Sequence, residues 1–276
     1  LDNILSFFAK YIETELGIVY AEHNYHQLNA RLEEIGKLVG ADNIETLYKQ
    51  AQTGISGAFK QLLLDVATNN ETSFFRDPKI FKAIENVVLP SFVESSQKDK
   101  LRIWSAASST GQEALSVAML ISEWNQKRGI NLPYKILGTD ISVRVLDRAK
   151  AAQYSQFEVQ RGLPAQLMIK YFKKDAKDRW SASLDLTKSI EFEKLNLKTP
   201  YFFPEKFYLI MCRNILIYQS VSGKIDILSR MAQVLTPGGF LILGSGESLL
   251  GLSNEWEQVS SDGAVAVSYT HLTLPT

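Results

Sequence analysis

A run of small residues, from Ser105 to Gly111, is the first stretch of the chain that could bind a ligand. The apolar residues of LRIW (101–104) before it predict a buried strand, and an apolar face over 114–119 predicts a helix after it. Small side chains allow a ligand to approach the backbone, and the start of a helix offers free N–H donors. This is the pattern of the first half of a nucleotide-binding βαβ unit. The run contains no glycine except Gly111, so the dinucleotide fingerprint G-x-G-x-x-G is absent, which disfavours NAD and favours a cofactor without a pyrophosphate.

Asp140 stands near the end of the next predicted strand, YKILGTDI (134–141). An acidic residue at the carboxyl end of the second strand of a βαβ unit commonly accepts hydrogen bonds from ribose hydroxyls. The alternative is a helix N-cap, since Asp140 or Ser142 could cap a helix that begins at Val143. The position of Asp140 relative to the first strand favours the ribose.

Arg76 lies in a polar and aromatic segment, TNNETSFFRD (68–77). A planar guanidinium is suited to a carboxylate or a phosphate, so the segment is interpreted as a lid that carries Arg76 toward a ligand. The alternative is a plain linker in which Phe74 and Phe75 fill the seam between two domains. In that case Arg76 would form an ion pair with Asp77 or another nearby acid and only hold the segment in place.

The elements that position these residues alternate in an α/β order. Further apolar runs predict strands at 190–195, 207–212 and 240–243, with a helix at 220–235 and a turn at LTPGG (235–239). We therefore predict a doubly wound, Rossmann-like parallel sheet that ends in an antiparallel hairpin.

Two helical segments precede the sheet. Residues 1–67 carry only helical periodicity, in four segments, and predict an all-helical N-terminal domain. Residues 68–100 follow as the lid, a helix that begins at Asp77 and Pro78 and is expected to end at Pro90, and a polar connection. The helical domain could be a stabilising cap or a docking surface for a helical partner. Amphipathic helices usually face a core, which favours the cap.

The segment 154–189 interrupts the βα order and predicts a small antiparallel β insertion. It contains RGLP (161–164), a basic aromatic patch at 170–174 and short alternating runs near 180–186. Because it interrupts an otherwise regular sheet, we interpret the insertion as a candidate partner surface.

Composition excludes several classes of function. The net charge is zero and no apolar run reaches the length of a membrane span, so we expect no nucleic-acid partner and no insertion into a membrane. The single cysteine, Cys212, fits a reducing cytosol, and three histidines without cysteine partners predict no metal site. Residues 268–276 continue no pattern and are expected to be a vector-derived tail.

The motifs NNETSFFRD, WSAASSTGQEALSVAM, GTDIS, RGLP…KYF, CRNILIY and LTPGG together resemble the chemotaxis receptor methyltransferases (CheR), in register over about residues 1–267. GTD or LTPGG alone occurs in many S-adenosylmethionine (SAM) methyltransferases. The aromatic and arginine lid together with CRNILIY is specific to this family.

The resemblance implies a fold and a reaction. The fold is a helical domain followed by a SAM-dependent α/β domain, 101–267, with a β-subdomain insertion at about 154–189. The reaction is methyl transfer from SAM to the γ-carboxylates of glutamates in the cytoplasmic domains of methyl-accepting chemotaxis receptors. It leaves glutamate methyl esters and S-adenosylhomocysteine. We expect a cytoplasmic monomer.

The resemblance also implies site residues. The cofactor is expected to be bound by Asn70, Thr72, Arg76, Glu113, Asp140, Asn196, Leu197, Arg213 and Asn214. Glu113 would hold the amino group of the methionine moiety, while Asn196 and Leu197 would border the adenine. Arg76 and Tyr218 are the catalytic candidates, with Arg76 on either the cofactor or the substrate glutamate. No general base is needed, because a glutamate side chain with a pKa of about 4.3 is already ionised at neutral pH.

Other functions remain open at this point. A SAM methyltransferase acting on another protein or a small molecule is the nearest alternative. A nicotinamide oxidoreductase and a non-catalytic binding module are more distant. Residues 1–67 hold five basic side chains (Lys10, Arg31, Lys37, Lys49 and Lys60) against nine acidic ones, which argues against docking of an acidic receptor on this domain.

Overall fold

The protein is described here by a computed structural model, over residues 1–95, 100–249, 251–252, 256–261 and 264–269. The helices are α1 (Asp2–Leu16), α2 (Tyr25–Val39), α3 (Ile44–Thr53), α4 (Gly57–Ala67), α5 (Pro78–Ala83), α6 (Leu89–Glu94), α7 (Gln112–Arg128), α8 (Val143–Ala151), α9 (Gln156–Gln160), α10 (Ala165–Tyr171), α11 (Leu184–Thr187) and α12 (Val221–Gln233). The strands are β1 (Leu101–Ala106), β2 (Tyr134–Asp140), β3 (Gln153–Tyr154), β4 (Phe172–Lys174), β5 (Trp180–Ala182), β6 (Ile190–Lys194), β7 (Phe207–Cys212), β8 (Leu235–Leu243), β9 (Trp256–Ser261) and β10 (Ala264–Tyr269).

Seven strands form the central sheet in the order β6-β2-β1-β7-β8-β10-β9. The first five are parallel, and β10 runs antiparallel to both β8 and β9. This confirms the predicted doubly wound α/β sheet with a closing hairpin. The chain leaves β1 for β2 on one side and later returns to β7 on the other, so the carboxyl ends of β1, β2 and β7 meet at a switch point.

Each face of the sheet has its own core. On one face, α7 and the helix after the lid pack on side chains such as Ile103 and Leu209. On the other face, α12 packs around Trp104, Ile210 and Leu241. Strands buried on both faces explain why 207–212 reads as one continuous apolar run.

The N-terminal helices α1 to α4 enclose a separate core. Phe8, Ile12, Leu28 and Leu32 are almost fully buried in it, and Ile141 of the sheet domain packs against its edge. The four predicted helical segments are therefore present. The domain boundaries at 67, 100 and 267 stay predictions.

The insertion contains the predicted antiparallel sheet, in the order β3-β5-β4, together with three short helices that the alternating pattern did not reveal. Val159, Leu163, Phe172 and Leu186 of this segment belong to the same buried cluster as α7. The insertion is therefore packed into the main core and does not form a separate unit.

The expectation that Pro90 ends its helix was wrong. A five-residue π-helical turn, Ile84–Val88, joins α5 to α6, and the helical path continues to Glu94. Within it the N–H of Leu89 bonds to the carbonyl of Ile84, five residues back. The wider π turn lies just before Pro90, which has no N–H to donate to the helix. The changed hydrogen-bond spacing lets the helical path continue through the proline.

Two further expectations need adjustment at the carboxyl end. LTPGG lies inside β8 and not before it: Leu235 pairs with Phe207 and Phe240 with Leu209, so residues 236–239 bulge out of the ladder. The predicted tail begins two residues too early, because Ser268 and Tyr269 belong to β10. The rest of the predicted tail, 270–276, and residues 96–99 of the predicted connection lie outside the described residues.

Candidate functional site

A cleft of about 990 Å³, part of it open to solvent, lies at the carboxyl ends of the parallel strands. All ten residues that the sequence analysis selected line it: Asn70, Thr72, Arg76, Glu113, Asp140, Asn196, Leu197, Arg213, Asn214 and Tyr218. They come from five separate chain segments that the sheet and the lid bring together. Their individual roles toward a ligand remain predictions.

The turn between β1 and α7 forms the floor of the cleft with an unusual backbone. Ala107, Ser109 and Gly111 have φ angles of 60°, 50° and 91°, in the left-handed region. A Cβ on Gly111 would lie 3.1 Å from side-chain atoms of both Ala149 and Phe192, so this position favours glycine. Ser108 lines the cleft, and among the described residues its buried hydroxyl has no hydrogen-bond partner. Left-handed residues and an unpaired buried hydroxyl are features of a site built to hold a ligand.

Asp140 is held by the backbone at the bottom of the cleft. Its Oδ2 accepts a hydrogen bond from the N–H of Ser109, and its Oδ1 accepts one from the N–H of Ser142, both at 3.0 Å. Burial raises the pKa of this carboxyl, and the backbone donors oppose that rise. The hydroxyl of Ser142, not the carboxylate of Asp140, caps α8 through the N–H of Val145. The capping alternative therefore applies to Ser142, and Asp140 keeps acceptor capacity toward the cleft.

Arg213 is buried at the end of β7 and bridges two carboxylates. Its Nη1 donates to Oε2 of Glu113 at 2.9 Å, and its Nη2 donates to Oδ2 of Asp77 at 2.7 Å. Oε1 of Glu113 accepts a further hydrogen bond from the hydroxyl of Ser105. Arg213, Glu113 and Asp77 together carry one formal positive charge and two formal negative charges. The excess negative charge favours a cationic part of a ligand beside Glu113.

Arg76 is half-buried and makes a weaker set of contacts. Its Nη1 donates to the carbonyl oxygen of Glu71 at 3.1 Å, and its own carbonyl accepts a hydrogen bond from Arg213. The structure shows no ion pair between Arg76 and Asp77, whose carboxylate is taken by Arg213. The backbone at Arg76 is thus anchored by Arg213, and the residue lines the cleft.

The lid is anchored to the insertion through Phe74. This ring is fully buried, with edge contacts to the rings of Tyr154 at 5.1 Å and Phe172 at 5.6 Å. At Gly162, in the RGLP motif, φ is 90° and a Cβ would lie only 2.1 Å from the carbonyl oxygen of Phe74. Phe74 therefore packs within the core that the sheet domain shares with the insertion. It does not fill a seam between the helical domain and the sheet domain, as the linker interpretation expected, while Arg76 two residues later lines the cleft.

Asn70 and Thr72 belong to the same lid. The amide of Asn70 donates to the carbonyl of Asp65, and its oxygen accepts from the hydroxyl of Thr68. The carbonyl of Asn70 accepts from the hydroxyl of Ser109, which joins the lid to the β1–α7 turn. The side chain of Asn70 therefore shapes the lid through contacts within the chain.

Asn196 connects the sheet domain to the helical domain. Its Nδ2 donates to the carbonyl of Glu15, and Gln219 donates in the same way to the carbonyl of Leu16. Lys198 donates to the two preceding carbonyls of α1. These three side chains donate to carbonyls in the last turn of α1, where helix carbonyls lack the usual intrahelical partners. The carbonyl of Glu13 also accepts a hydrogen bond from the N–H of Gly17, at 2.8 Å.

Two residues of the helical domain were missed by the sequence analysis. Leu16 and Ile18 line the cleft, as do Leu195 and Leu197, and together they give it an apolar wall. A short bridge between Ile18 and Gln219 holds this wall in place. No local signal could have revealed them, because their role depends on how the two domains pack.

Tyr218 and Asn214 stand on the loop after β7. The phenolic oxygen of Tyr218 accepts a hydrogen bond from the amide of Asn69 at 3.0 Å, so its own proton stays available for another acceptor. Asn214 has a φ of 58°, a left-handed conformation that asparagine tolerates better than most residues.

The described residues contain neither a cluster of metal ligands nor a helix suited to a membrane. No group of three His, Cys, Asp or Glu side chains among these residues could hold a metal ion. None of the helices seen there combines the length and apolar character needed to cross a bilayer.

Comparison with known proteins identifies the family. A family model described as "CheR methyltransferase, SAM binding domain" matches residues 70–265. The chain is 33% identical over 254 residues to "Chemotaxis protein methyltransferase Cher2" of Pseudomonas putida, covering 91% of this chain and 92% of that protein. It is 34% identical to "Chemotaxis protein methyltransferase 1" of Pseudomonas aeruginosa, with coverage of 91% and 92%. The protein of the same description from Vibrio cholerae is 35% identical, with coverage of 91% of each chain.

These relatives span nearly the whole chain, and the family match includes the lid, the strand ends and the loop after β7. The geometry of the cleft and the comparisons thus agree, and the chain belongs to the CheR methyltransferase family, whose SAM-binding domain it carries over residues 70–265.

Proposed function

We propose that this chain transfers the methyl group of SAM to glutamate side chains of chemotaxis receptors, and so produces methyl esters and S-adenosylhomocysteine. The names of its relatives support the class of substrate. The observation that carries the proposal is the meeting of all ten motif residues in one cleft, with carboxylates at Glu113 and Asp140 and a guanidinium at Arg76.

The cleft fits the polar groups of the cofactor. The excess negative charge around Glu113 suits the ammonium of the methionine moiety, and Asp140 offers its carboxylate to the ribose hydroxyls. The unpaired hydroxyl of Ser108, which also lines the cleft, is available to a further polar group of the cofactor. The apolar wall of Leu16, Ile18 and Leu197 suits the adenine ring.

Methyl transfer to a carboxylate requires little from the protein except alignment of the reacting groups. SAM, when bound, supplies a methyl group activated by a sulfonium. Glutamate is already the carboxylate nucleophile at neutral pH, so the cleft needs no general base. Alignment of the reacting groups contributes up to about 7–11 kcal/mol in favourable cases.

Arg76 and Tyr218 are the side chains placed to act on the substrate. The carboxylate must lose water as it enters the cleft, and an unpaired buried charge would be very costly. Arg76, whose guanidinium bonds to one backbone carbonyl, would offset that cost by pairing with the substrate carboxylate. Its alternative role is to hold the carboxylate of the cofactor. Tyr218 donates its free proton to an oxygen of the substrate and orients it.

The enzyme acts in the cytoplasm, as a monomer, on the cytoplasmic domains of the receptors. The helical domain serves chiefly to complete the cofactor cleft through Leu16 and Ile18. The insertion offers a surface for the receptor while its buried side holds the lid.

A labelling experiment tests the reaction. The purified protein is incubated with tritiated SAM and a receptor cytoplasmic domain, and the label is then exposed to base. Release of the label as methanol from the wild-type receptor, and none from a receptor whose acceptor glutamates are replaced by alanine, supports glutamate esters. Base-stable label on the receptor would indicate methylation of nitrogen, and label on a small molecule would indicate a different substrate; either result contradicts the proposal.

A further inference from the structure

Glu247 lies outside the cleft but is bonded to the loop that carries two of its residues. Its Oε2 accepts hydrogen bonds from the N–H groups of Asn214 and Gly244, both at 2.8 Å. Its Oε1 accepts from the N–H of Ile215 at 2.8 Å and from that of Ile217 at 3.2 Å. One carboxylate thus gathers four backbone donors, three of them from the loop after β7.

The surrounding chain is shaped to allow this contact. The turn after β8 closes through a hydrogen bond from the N–H of Glu247 to the carbonyl of Gly244. A Cβ on Gly244 would lie 2.9 Å from the backbone nitrogen of Asn214 and from Oε2 of Glu247. Only a glycine lets the two loops approach closely enough for the carboxylate to reach all four donors.

The opposite side of the same loop faces the cleft. Asn214, Ile215 and Tyr218 all line it, and Asn214 adopts its left-handed φ of 58° at the point where Glu247 binds the backbone. A carboxylate that accepts several N–H bonds holds its donors in a narrow range of positions, since charge-assisted hydrogen bonds are short and strong. The position of Tyr218 in the cleft therefore depends on a side chain that does not touch it.

We propose that Glu247 is a positioning residue for methyl transfer, and that it fixes the loop after β7 so that Asn214 and Tyr218 face the reacting groups. The proposal rests on the proposed function for its catalytic readout. Its structural readout is independent of the proposed function, because the four donors are backbone amides whose exchange with solvent can be followed in the absence of any substrate.

The test compares Glu247→Gln and Glu247→Asp with two controls. Ser245→Ala changes the same turn at an exposed position, and Glu34→Gln makes the same chemical change at an exposed site on α2. Glutamine replaces one acceptor oxygen by a donor group, so two of the four hydrogen bonds are lost. Aspartate keeps the charge but is shorter by one methylene.

Hydrogen exchange and kinetics are measured on the same samples. In Glu247→Gln, exchange should accelerate at the amides of Asn214, Ile215 and Ile217 and stay unchanged within β7. The kcat for methyl transfer should fall by about 10- to 100-fold, as expected when a reacting group is displaced by about 1 Å. The affinity for S-adenosylhomocysteine should fall less than kcat does, because Glu113 and Asp140 lie on other segments. Glu247→Asp should recover part of the rate, and both controls should match the wild type.

Other outcomes would overturn the proposal. Unchanged exchange at the three amides would show that the carboxylate does not hold the loop. In a second contrary outcome, exchange accelerates but kcat falls only in proportion to the unfolded fraction, which circular dichroism measures. Glu247 would then have a structural role and no positioning role. If the wild-type protein methylates no receptor, the proposed function fails. The exchange rates and the affinity for S-adenosylhomocysteine would then still decide whether Glu247 holds the loop and shapes the site.

Discussion

Asp140 and Arg76 differ in how firmly the protein holds them. Asp140 is buried and fixed by two backbone donors, whereas the guanidinium of Arg76 is half-buried and bonds to one carbonyl. A rigid acceptor suits a cofactor that binds the same way in each cycle. A less constrained cation suits a group that must meet an incoming substrate.

We expect Asp140 to bind the ribose hydroxyls of the cofactor. A dideoxy analogue of S-adenosylhomocysteine should bind the wild type less tightly by about 1.5–3 kcal/mol for each charge-assisted hydrogen bond lost. Asp140→Ala should show no such difference between the two ligands, although it weakens both because Ser109 and Ser142 lose their acceptor. Calorimetry on the four combinations gives the coupling energy. An equal loss in both proteins would mean that Asp140 only holds the turn.

The pH dependence of binding should report on the same carboxyl. Burial raises the pKa of Asp140 above its ordinary value of 3.8, so in the free protein it takes up a proton at a higher pH than an exposed aspartate does. The raised pKa means that ionised Asp140 opposes folding, and this cost disappears as the pH falls through that pKa. An ionised carboxylate accepts hydroxyl protons more strongly than a neutral carboxyl group does, so cofactor affinity should fall over the same interval.

Titration calorimetry at successive pH values, with circular dichroism to confirm folding, measures this effect. Asp140→Asn should remove the dependence in that interval. The same pH profile in wild type and Asp140→Asn would assign the titration to another group.

Arg76→Ala should lower the rate of methyl transfer by about 10²-fold, the loss expected on removal of one donor to a reacting group. The melting temperature should barely change, because the side chain of Arg76 donates to one backbone carbonyl, and the hydrogen bond that its own carbonyl accepts from Arg213 is kept in the variant. Arg76→Lys should recover little, since an ammonium cannot form a bidentate pair with a carboxylate. Arg144→Ala, at an exposed position on α8, is the matched control.

The affinity for SAM decides which carboxylate Arg76 contacts. A loss of affinity equal to the loss of rate places Arg76 on the cofactor, whereas a loss of rate at unchanged affinity places it on the glutamate. Wild-type rates in Arg76→Ala would end the catalytic assignment.

At the scale of elements, the lid and the insertion behave as one unit. Phe74 lies between rings of β3 and β4, and Arg76 follows two residues later. A displacement of the insertion should therefore also displace Arg76 in the cleft, because only two residues of chain separate it from Phe74. A surface that binds a partner on the insertion would be coupled to Arg76 in the same way.

Gly162→Ala tests this coupling. The new Cβ would collide with the carbonyl of Phe74, 2.1 Å away, and should displace the lid. Gly129→Ala is the matched control, because φ there is also positive, at 64°, but nothing lies within 4 Å of its Cβ. Both variants should lose about 1–2 kcal/mol of stability from the left-handed backbone. Gly162→Ala alone should also lower cofactor affinity and methyl transfer, and equal activity in the two variants would refute the coupling.

At the scale of the whole molecule, the helical domain contributes to the cleft. Side chains from two loops of the sheet domain bond to carbonyls at the end of α1, and Leu16 and Ile18 line the cleft. The interface between the domains therefore adjoins the cleft that we propose for the cofactor.

The double variant Lys198→Ala, Gln219→Ala should weaken this interface. It removes side-chain donors to the carbonyls of Glu13, Thr14 and Leu16, and at about 0.5–1.5 kcal/mol for each residue it should cost about 1–3 kcal/mol of stability. S-adenosylhomocysteine should also bind less tightly, because the wall is displaced. Scanning and titration calorimetry measure the two effects, with Lys10→Ala on the exposed face of α1 as the control. Lower stability with unchanged affinity would separate the interface from the site.

The sequence by itself determined the fold class and the candidate residues of the cleft. Apolar periodicity reports which face of a segment is buried, and it identified the parallel strands and the four N-terminal helices. In parallel sheets ligands bind where the strands end, so Asp140 and the run before α7 could be located from strand ends alone. The resemblance in motifs then supplied Glu113, Arg213 and Tyr218.

Only the tertiary structure decided how these residues are held. Arg213 turned out to be a buried bridge between Glu113 and Asp77, and Glu247 holds the loop after β7 from 30 or more residues away. Leu16 entered the cleft from a different domain, bonded to Gln219 across 203 residues of chain. Local patterns indicate that a side chain or a backbone group will be buried, but not which distant group will satisfy it. That choice depends on packing between segments, which periodicity and spacing do not encode.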